Sequence, residues 1–223
     1  MPGPRMAPRF LLLDVDNTLY PRARGIVERV DALINRYLAE RMRTPTAEVA
    51  TLRHDLRQAH GTTLRGLMHR HGIDPDDYLR FVHAIDLGGL LAPDPALRAM
   101  LGRIPLPKVA VTNGSSAHAH AVLDHLRVGD RFLRVYALEQ MAYVPKPFPE
   151  AYQAVLADLP AHPGECILVE DSTPNLTTAR QLGMYTVHVH DGQPPHPGAH
   201  VAIGSILELE EALACLAVST ERT

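Results

Sequence analysis

Lysine is nearly missing from this chain. Of its 22 basic residues only two, Lys108 and Lys146, are lysines, and arginine supplies the rest. Cysteine is equally scarce: Cys166 lies in an apolar strand-like run and Cys215 on an expected helix, far away in sequence, so both read as buried free thiols. There is no surplus of positive charge, and a net charge of −3 leaves no basic footprint for a nucleic acid polymer. No secretory hydrophobic region is visible and no apolar run approaches the length of a membrane span, so the expected location is the cytoplasm, with no membrane partner. No Gly-rich P-loop and no Gly-x-Gly-x-x-Gly opens a helix, which disfavours cradles for ATP and dinucleotides. No internal repeat is evident.

What is present is a globular composition, 46% apolar and 21% charged over 223 residues, enough for one domain with an insertion. Residues 1–8, with three prolines, read as a loose terminus. The run Phe10-Leu11-Leu12-Leu13-Asp14 reads as a strand buried on both faces that stops at a carboxylate, and Asp16 follows two residues later. Residues 22–43 carry helical periodicity in Ile26, Val30, Leu33, Ile34, Tyr37 and Leu38. Three shorter helices are expected after it: from Thr46 to His60-Gly61, from Thr62-Thr63 to His71-Gly72, and over 75–85 behind the Asp74-Pro75 cap. Four helices without a strand describe an insertion over 22–89.

Alternation then resumes. A helix runs from Asp94-Pro95 to about 103, a strand over 108–112, and a helix from Ser115-Ser116 to about 127. An edge strand follows over 132–136, then a helix over 149–158, a strand over 165–169, a helix over 174–182 and a strand over 184–189. A loop rich in Pro, Gly and His, a short strand near 200–203 and a helix near 205–217 finish the chain. This pattern predicts an α/β fold, a parallel sheet with helices on both faces. The expected division is a core of 1–21 and 90–223 with a helical cap of 22–89.

Three of these strands end in polar groups that a parallel sheet brings to one edge: Asp14 and Asp16; Thr112, Asn113 and Gly114; Glu170 and Asp171. Clustered carboxylates repel unless a cation joins them, and all-oxygen ligands suit Mg²⁺. Thr112-Asn113-Gly114 ahead of a helix offers a hydroxyl and backbone amides to an anion. Lys146 stands in the stiff Val144-Pro145-Lys146-Pro147-Phe148-Pro149 loop, a compact charge in a chain that otherwise uses arginine. Together these parts describe phosphoryl transfer through a carboxylate nucleophile. The thirteen histidines read as structural or surface residues. His118 and His120 diverge on a helix, and His188 and His190, on one strand face, have no third ligand nearby.

Asp14-x-Asp16-x-Thr18, Thr112-Asn113-Gly114, Lys146-Pro147 and Glu170-Asp171, in this order, resemble the four motifs of the haloacid dehalogenase superfamily. Asp16-Asn17-Thr18-Leu19-Tyr20-Pro21, the run His60–Leu67 and Glu170-Asp171-Ser172-x-x-Asn175 are similar to its pyrimidine 5′-nucleotidase branch. The resemblance implies a Rossmann-like core with an α-helical cap after the first strand. It implies Asp14 as nucleophile, Asp16 as acid and base, and Lys146 and Thr112 on the phosphoryl oxygens, with amides from Asn113 and Gly114. Mg²⁺ is implied on Asp14, the Asp16 backbone carbonyl and Asp171, with Glu170 bound directly or through water. The branch often has Asp-Asp where this chain has Glu170-Asp171. The expected activity is hydrolysis of a small phosphorylated metabolite, a pyrimidine nucleoside 5′-monophosphate first and a sugar phosphate or phosphoglycolate as the alternative. Thr62, Thr63 and Arg65 are expected to meet the leaving group. A dehalogenase needs neither Asp16 nor a cation, a phosphonatase would want a cap lysine that 22–89 lacks, and a phospho-acceptor module would not carry the insertion. Either a monomer or a homodimer is expected.

Overall fold

The computed structural model describes residues 7–221, and of residues 217–221 the backbone only. Most of the segment read as a loose terminus lies outside these residues. Six parallel strands form one sheet: β1 (Phe10–Leu13), β2 (Lys108–Val111), β3 (Arg134–Tyr136), β4 (Cys166–Glu170), β5 (Tyr185–Val189) and β6 (Val201–Ile203). Their order is β3-β2-β1-β4-β5-β6, so β1 is central, with Leu12 in register with Val109 on one side and Leu168 on the other. The chain leaves β1 toward β2 and β3, then returns to β4 on the opposite side. That reversal opens a crevice at the carboxyl ends of β1 and β4, where open α/β sheets bind ligands.

Every residue of β1 is buried, and alternation divides them between two cores. Leu11 and Leu13 pack with α5 (Pro95–Arg103), α6 (Ser116–His125) and α9 (Leu209–Glu221). Phe10 and Leu12 face the core that holds α7 (Pro149–Asp158) and α8 (Thr173–Gln181). This second core continues into the helices between β1 and α5: α1 (Ile26–Glu40), α2 (Thr46–His60), α3 (Thr63–His71) and α4 (Pro75–Val82). Their starts obey local chemistry. Thr62 caps α3 by accepting the Arg65 amide, and Asp74 caps α4 with Pro75 in its first turn.

Several expected boundaries move. The helix expected over 22–43 is a 3₁₀ turn at Arg22–Arg24 followed by α1, because Gly25 takes a left-handed φ of 70° between them. The helix expected to 85 ends at Val82, where His83 leaves helical geometry. The edge strand begins at Arg134, after a 3₁₀ turn at Gly129–Arg131 and an exposed Leu133. Cys166 is buried in β4, but Cys215 is exposed: α9 buries Leu209, Ala212 and Leu216, and position 215 turns away from that stripe. Lys108 is buried too, its ammonium donating to the Ile104 and Leu106 carbonyls at 2.7 and 2.9 Å. No helix among the described residues is long and apolar enough to cross a membrane.

The insertion has a tight internal joint. A Cβ on Gly66 would stand 2.7 Å from the Leu56 side chain and 3.2 Å from its Cα, so α2 and α3 touch at a position with no room for a methyl group. Gly66→Ala is therefore expected to destabilise the protein by about 1–3 kcal/mol, the usual cost of overpacking. Thermal unfolding of the two proteins checks this, and an unchanged midpoint would contradict it.

Candidate active site

The crevice gathers its groups from four strand ends and loops. Asp14, one residue past β1, hangs from the sheet by its amide, which donates to the Val169 carbonyl at 3.0 Å. Its carboxylate accepts Thr18 Oγ1 at 2.9 Å and Lys146 Nζ at 2.9 Å. The Lys146 ammonium, itself buried, donates further to Glu170 Oε2 at 2.7 Å and to the Val111 carbonyl at 2.6 Å. Asn113 holds that lysine's backbone from both sides. Its Nδ2 donates to the Lys146 carbonyl and its Oδ1 accepts the Lys146 amide, both at 2.8 Å. The Gly114 amide donates to Thr112 Oγ1 at 3.0 Å, which leaves the hydroxyl proton of Thr112 available to an incoming oxygen.

Asp14, Glu170 and Asp171 each offer a carboxylate oxygen within 4.8 Å of the others. Burial, and then the Glu170 charge, push Asp14 up to about 7 against the pull of Lys146. Burial and the Asp14 charge push Asp171 up to about 6, and burial raises Glu170 as well. Lys146 goes the other way: burial would lower it, but its carboxylate neighbours dominate and keep it charged. Lys146, with Arg22 on Asp171 alone, thus faces three acids, a set that keeps an excess negative charge which a divalent cation would relieve. The donors, all oxygen, fit Mg²⁺.

Asp16 is set apart. Its Oδ1 receives the Tyr20 hydroxyl at 2.5 Å and lies 2.8 Å from His118 Nε2, so the carboxylate turns away from the three-acid group. Burial alone would raise Asp16, but the His118 hydrogen bond and charge, then Tyr20, hold it below the usual carboxylate range. His118 is a residue that sequence reasoning missed. Its divergence from exposed His120 holds, yet its buried ring reaches back to Asp16 across 102 positions, a contact that no local pattern announces. His188, read as structural or surface, is a buried strand residue whose ring nitrogen lies 3.2 Å from the Asp171 carbonyl.

These groups open into a cavity of about 600 Å³ between the strand ends and the helical insertion. Thr62 and Thr63 line it; Arg65 does not. The expected contact from Arg65 is corrected by the structure, where its guanidinium lies over the Phe148 ring, 4.6 Å from the centroid. The same ring fills the space beside Gly61, where a Cβ would come within 2.2 Å of it. The arginines facing the cavity are Arg53 and Arg57, one turn apart on α2, and Arg22, which pairs with Asp171 at 3.1 Å. The i,i+4 spacing of Arg53 and Arg57 was the signal that could have found them. A wider groove of about 840 Å³ near Arg98 and Asp130 contains none of the strand-end groups.

The raised Asp14 gives a sign that can be tested. A carboxyl whose value moves from 3.8 unfolded to about 7 folded contributes stability below pH 4 that is lost as pH rises through 7. In metal-free buffer at pH 8, Asp14→Asn should therefore melt above the parent protein, by about 3–6 °C, and the gap should close toward pH 4. Adding Mg²⁺ should raise the parent's melting temperature more than the variant's. A variant that melts lower at pH 8 would contradict this electrostatic account.

Comparison with known proteins agrees with this architecture. A HAD phosphatase from Thermococcus onnurineus superposes with a TM-score of 0.63 at 18% identity, covering 93% of this chain and 98% of that one. A 2-haloacid dehalogenase from Pseudomonas syringae pv. Tomato DC3000 gives 0.61 at 19% identity, over 95% of this chain and 100% of the other. The HAD-hydrolase YfnB from Bacillus subtilis, bound to magnesium, gives 0.57 at 19% identity, over 93% and 99%. At these identities the likeness is one of fold, shared by phosphatase and dehalogenase alike. The profile of the haloacid dehalogenase-like hydrolases matches residues 9–183, most of the chain and all four motif positions, and the chain belongs to that family of hydrolases.

Proposed function

We propose that the chain is a Mg²⁺-dependent phosphomonoesterase that works through an aspartyl-phosphate on Asp14. The observation that carries this reading is the Asp14 carboxylate itself. It is held at the crevice by Lys146 and Thr18, with two more acids in reach of a shared cation. Asp14 attacks phosphorus, the bond from phosphorus to the leaving oxygen breaks, and that oxygen takes a proton from Asp16. Water then attacks the aspartyl-phosphate, Asp16 takes the water's proton, and inorganic phosphate leaves. Asp16 rests as a carboxylate and takes up a proton from solvent when a phosphate dianion beside it raises its proton affinity by like-charge repulsion, and this is the proton it gives in the first step.

The Thr112 hydroxyl binds a phosphoryl oxygen and Lys146, whose three N–H groups are already given to Asp14, Glu170 and the Val111 carbonyl, attracts the phosphoryl group by its charge; the Asn113 amide lies nearby, while the expected Gly114 amide is taken by Thr112 Oγ1. The cation would be held by Asp14, Asp171 and the Asp16 backbone carbonyl, with Glu170 direct or through water. When bound it would screen phosphate from the acids and stabilise charge on the transferring oxygens. Dehalogenation needs no acid two residues after the nucleophile and no cation, so Asp16 and the three-acid group favour phosphate over a haloacid.

The helices over 22–89 act, in this reading, as the cap that selects the leaving group. A cavity of about 600 Å³ is of ordinary size for a small-molecule site, and it offers the hydroxyls of Thr62 and Thr63 and the forks of Arg53 and Arg57. Carbonyl and hydroxyl acceptors of a nucleoside suit such donors, and a pyrimidine nucleoside 5′-monophosphate is the proposed substrate.

Phosphate release from UMP and CMP should exceed that from phosphoglycolate and hexose phosphates in kcat/KM; sugar phosphates at the top of the ranking would reject the nucleotide reading alone. EDTA should abolish turnover, Mg²⁺ restore it, and Ca²⁺, with its looser geometry, inhibit. Asp14→Asn should lose turnover while staying folded, and quenched enzyme should carry phosphate on Asp14; label on another residue would remove Asp14 as the nucleophile.

A further inference from the structure

The Asp16 carboxylate could turn either toward the three-acid group or away from it, and its own loop supplies only one of the groups that decide which. Two donors decide it, both on Oδ1: the Tyr20 hydroxyl at 2.5 Å and His118 Nε2 at 2.8 Å. The His118 ring is placed by the first turn of α6, where Ser115 Oγ accepts the His118 amide at 3.2 Å. Beside the ring is Gly114, where a Cβ would stand 3.1 Å from His118 Cδ2 and 3.5 Å from Asp16 Oδ2. Glycine at this motif position therefore leaves room for the ring and the carboxylate to meet. Over the ring lies His83, stacked at 4.6 Å between centroids with the planes 23° apart. His83 closes the C-terminus of α4, its Nδ1 is 3.1 Å from the Leu79 carbonyl, and burial pushes it down to about 4, so it stacks as a neutral ring. It belongs to the helical insertion, whereas His118 belongs to the core.

We infer that His118 and Tyr20 form a two-donor clamp that positions Asp16 toward the leaving group, and that His83 makes the clamp depend on the insertion lying closed over the site. This rests on the phosphatase reading for the task of Asp16, but the orientation itself does not. His118 and Tyr20 act through Asp16 and are positioning residues. The stack on His83 ties the placement of the acid to the part of the chain that meets the leaving group. With the insertion displaced, the His118 ring loses one wall and the carboxylate loses its fixed direction.

The test compares full-length wild type, His118→Ala, His118→Gln and His83→Ala with Mg²⁺ on UMP and on p-nitrophenyl phosphate. The ratio of the two kcat/KM values reads the step in which the leaving oxygen departs, where an alkoxide needs a proton and p-nitrophenolate does not. His118→Ala is expected to lower that ratio roughly 10- to 100-fold, part of what general acid catalysis supplies. His118→Gln, whose Nε2 can reach the same point, should recover most of the loss, and His83→Ala should lower the ratio by a smaller factor. Equal losses on both substrates, or a Gln variant no better than Ala, would overturn the clamp. Should His118→Ala not fold, Tyr20→Phe deletes one oxygen from the same clamp: a lowered ratio supports it and an unchanged one overturns it. If wild type hydrolyses neither phosphate, the phosphatase reading fails, and a crystal structure of His118→Gln beside His118→Leu still decides the orientation. Asp16 should keep its direction in the first and turn from it in the second, where the Tyr20 hydroxyl alone remains, and an Asp16 unmoved in both refutes the inference.

Discussion

A single buried ammonium holds the active end of the sheet together. Lys146 Nζ donates to Asp14, Glu170 and the Val111 carbonyl, and so ties the ends of β1, β4 and β2 to a loop that belongs to none of them. Removing the lysine would leave two buried carboxylates uncompensated, typically at about 3–5 kcal/mol, whereas removing one acid leaves Lys146 paired with the other. The reciprocal bonds from Asn113 to the Lys146 backbone extend the constraint, because they tie the loop after β2 to the lysine loop. Asp14, Thr112 and Lys146 are therefore held in fixed positions, and on the proposed reading this would supply the preorganisation that electrostatic catalysis requires.

That constraint is also why the core was readable from the chain. Groups at the ends of parallel strands converge because the strands share a direction, so an apolar run followed by Asp14, or by Glu170-Asp171, already states where those acids lie. The run of helices between the first two strands was legible for a similar reason, since apolar spacing and caps such as Asp74-Pro75 are local. Arg65 and His118 escaped because their fate is set by partners far away in sequence. The Phe148 ring draws the Arg65 guanidinium off the cavity, and Asp16 draws in the ring of His118. Cys215 was misjudged for want of the helix phase: only the sheet beneath α9 decides that the stripe runs through Leu209, Ala212 and Leu216.

The two sides of the cavity differ in kind. The core side is a closed set of short hydrogen bonds between buried charges, with little freedom to vary. The insertion side is apolar packing with arginines at its surface, joined to the core by Phe148 against Gly61 and Arg65 and by His83 against His118. Arg53 is already paired with Asp31 and Asn35 there, so the direction of its fork is set in advance.

The scarcity of lysine has a consequence for how this protein meets chemical reagents. Both side-chain amines are buried, Lys108 against carbonyls at the start of β2 and Lys146 among acids. The folded surface carries its positive charge on guanidinium groups, which acylating agents and amine-directed cross-linkers leave alone. A lysine adduct on this chain therefore marks a molecule whose sheet has opened: acylation at Lys108 reports release of the amino end of β2, and acylation at Lys146 reports opening of the crevice at the strands' carboxyl ends.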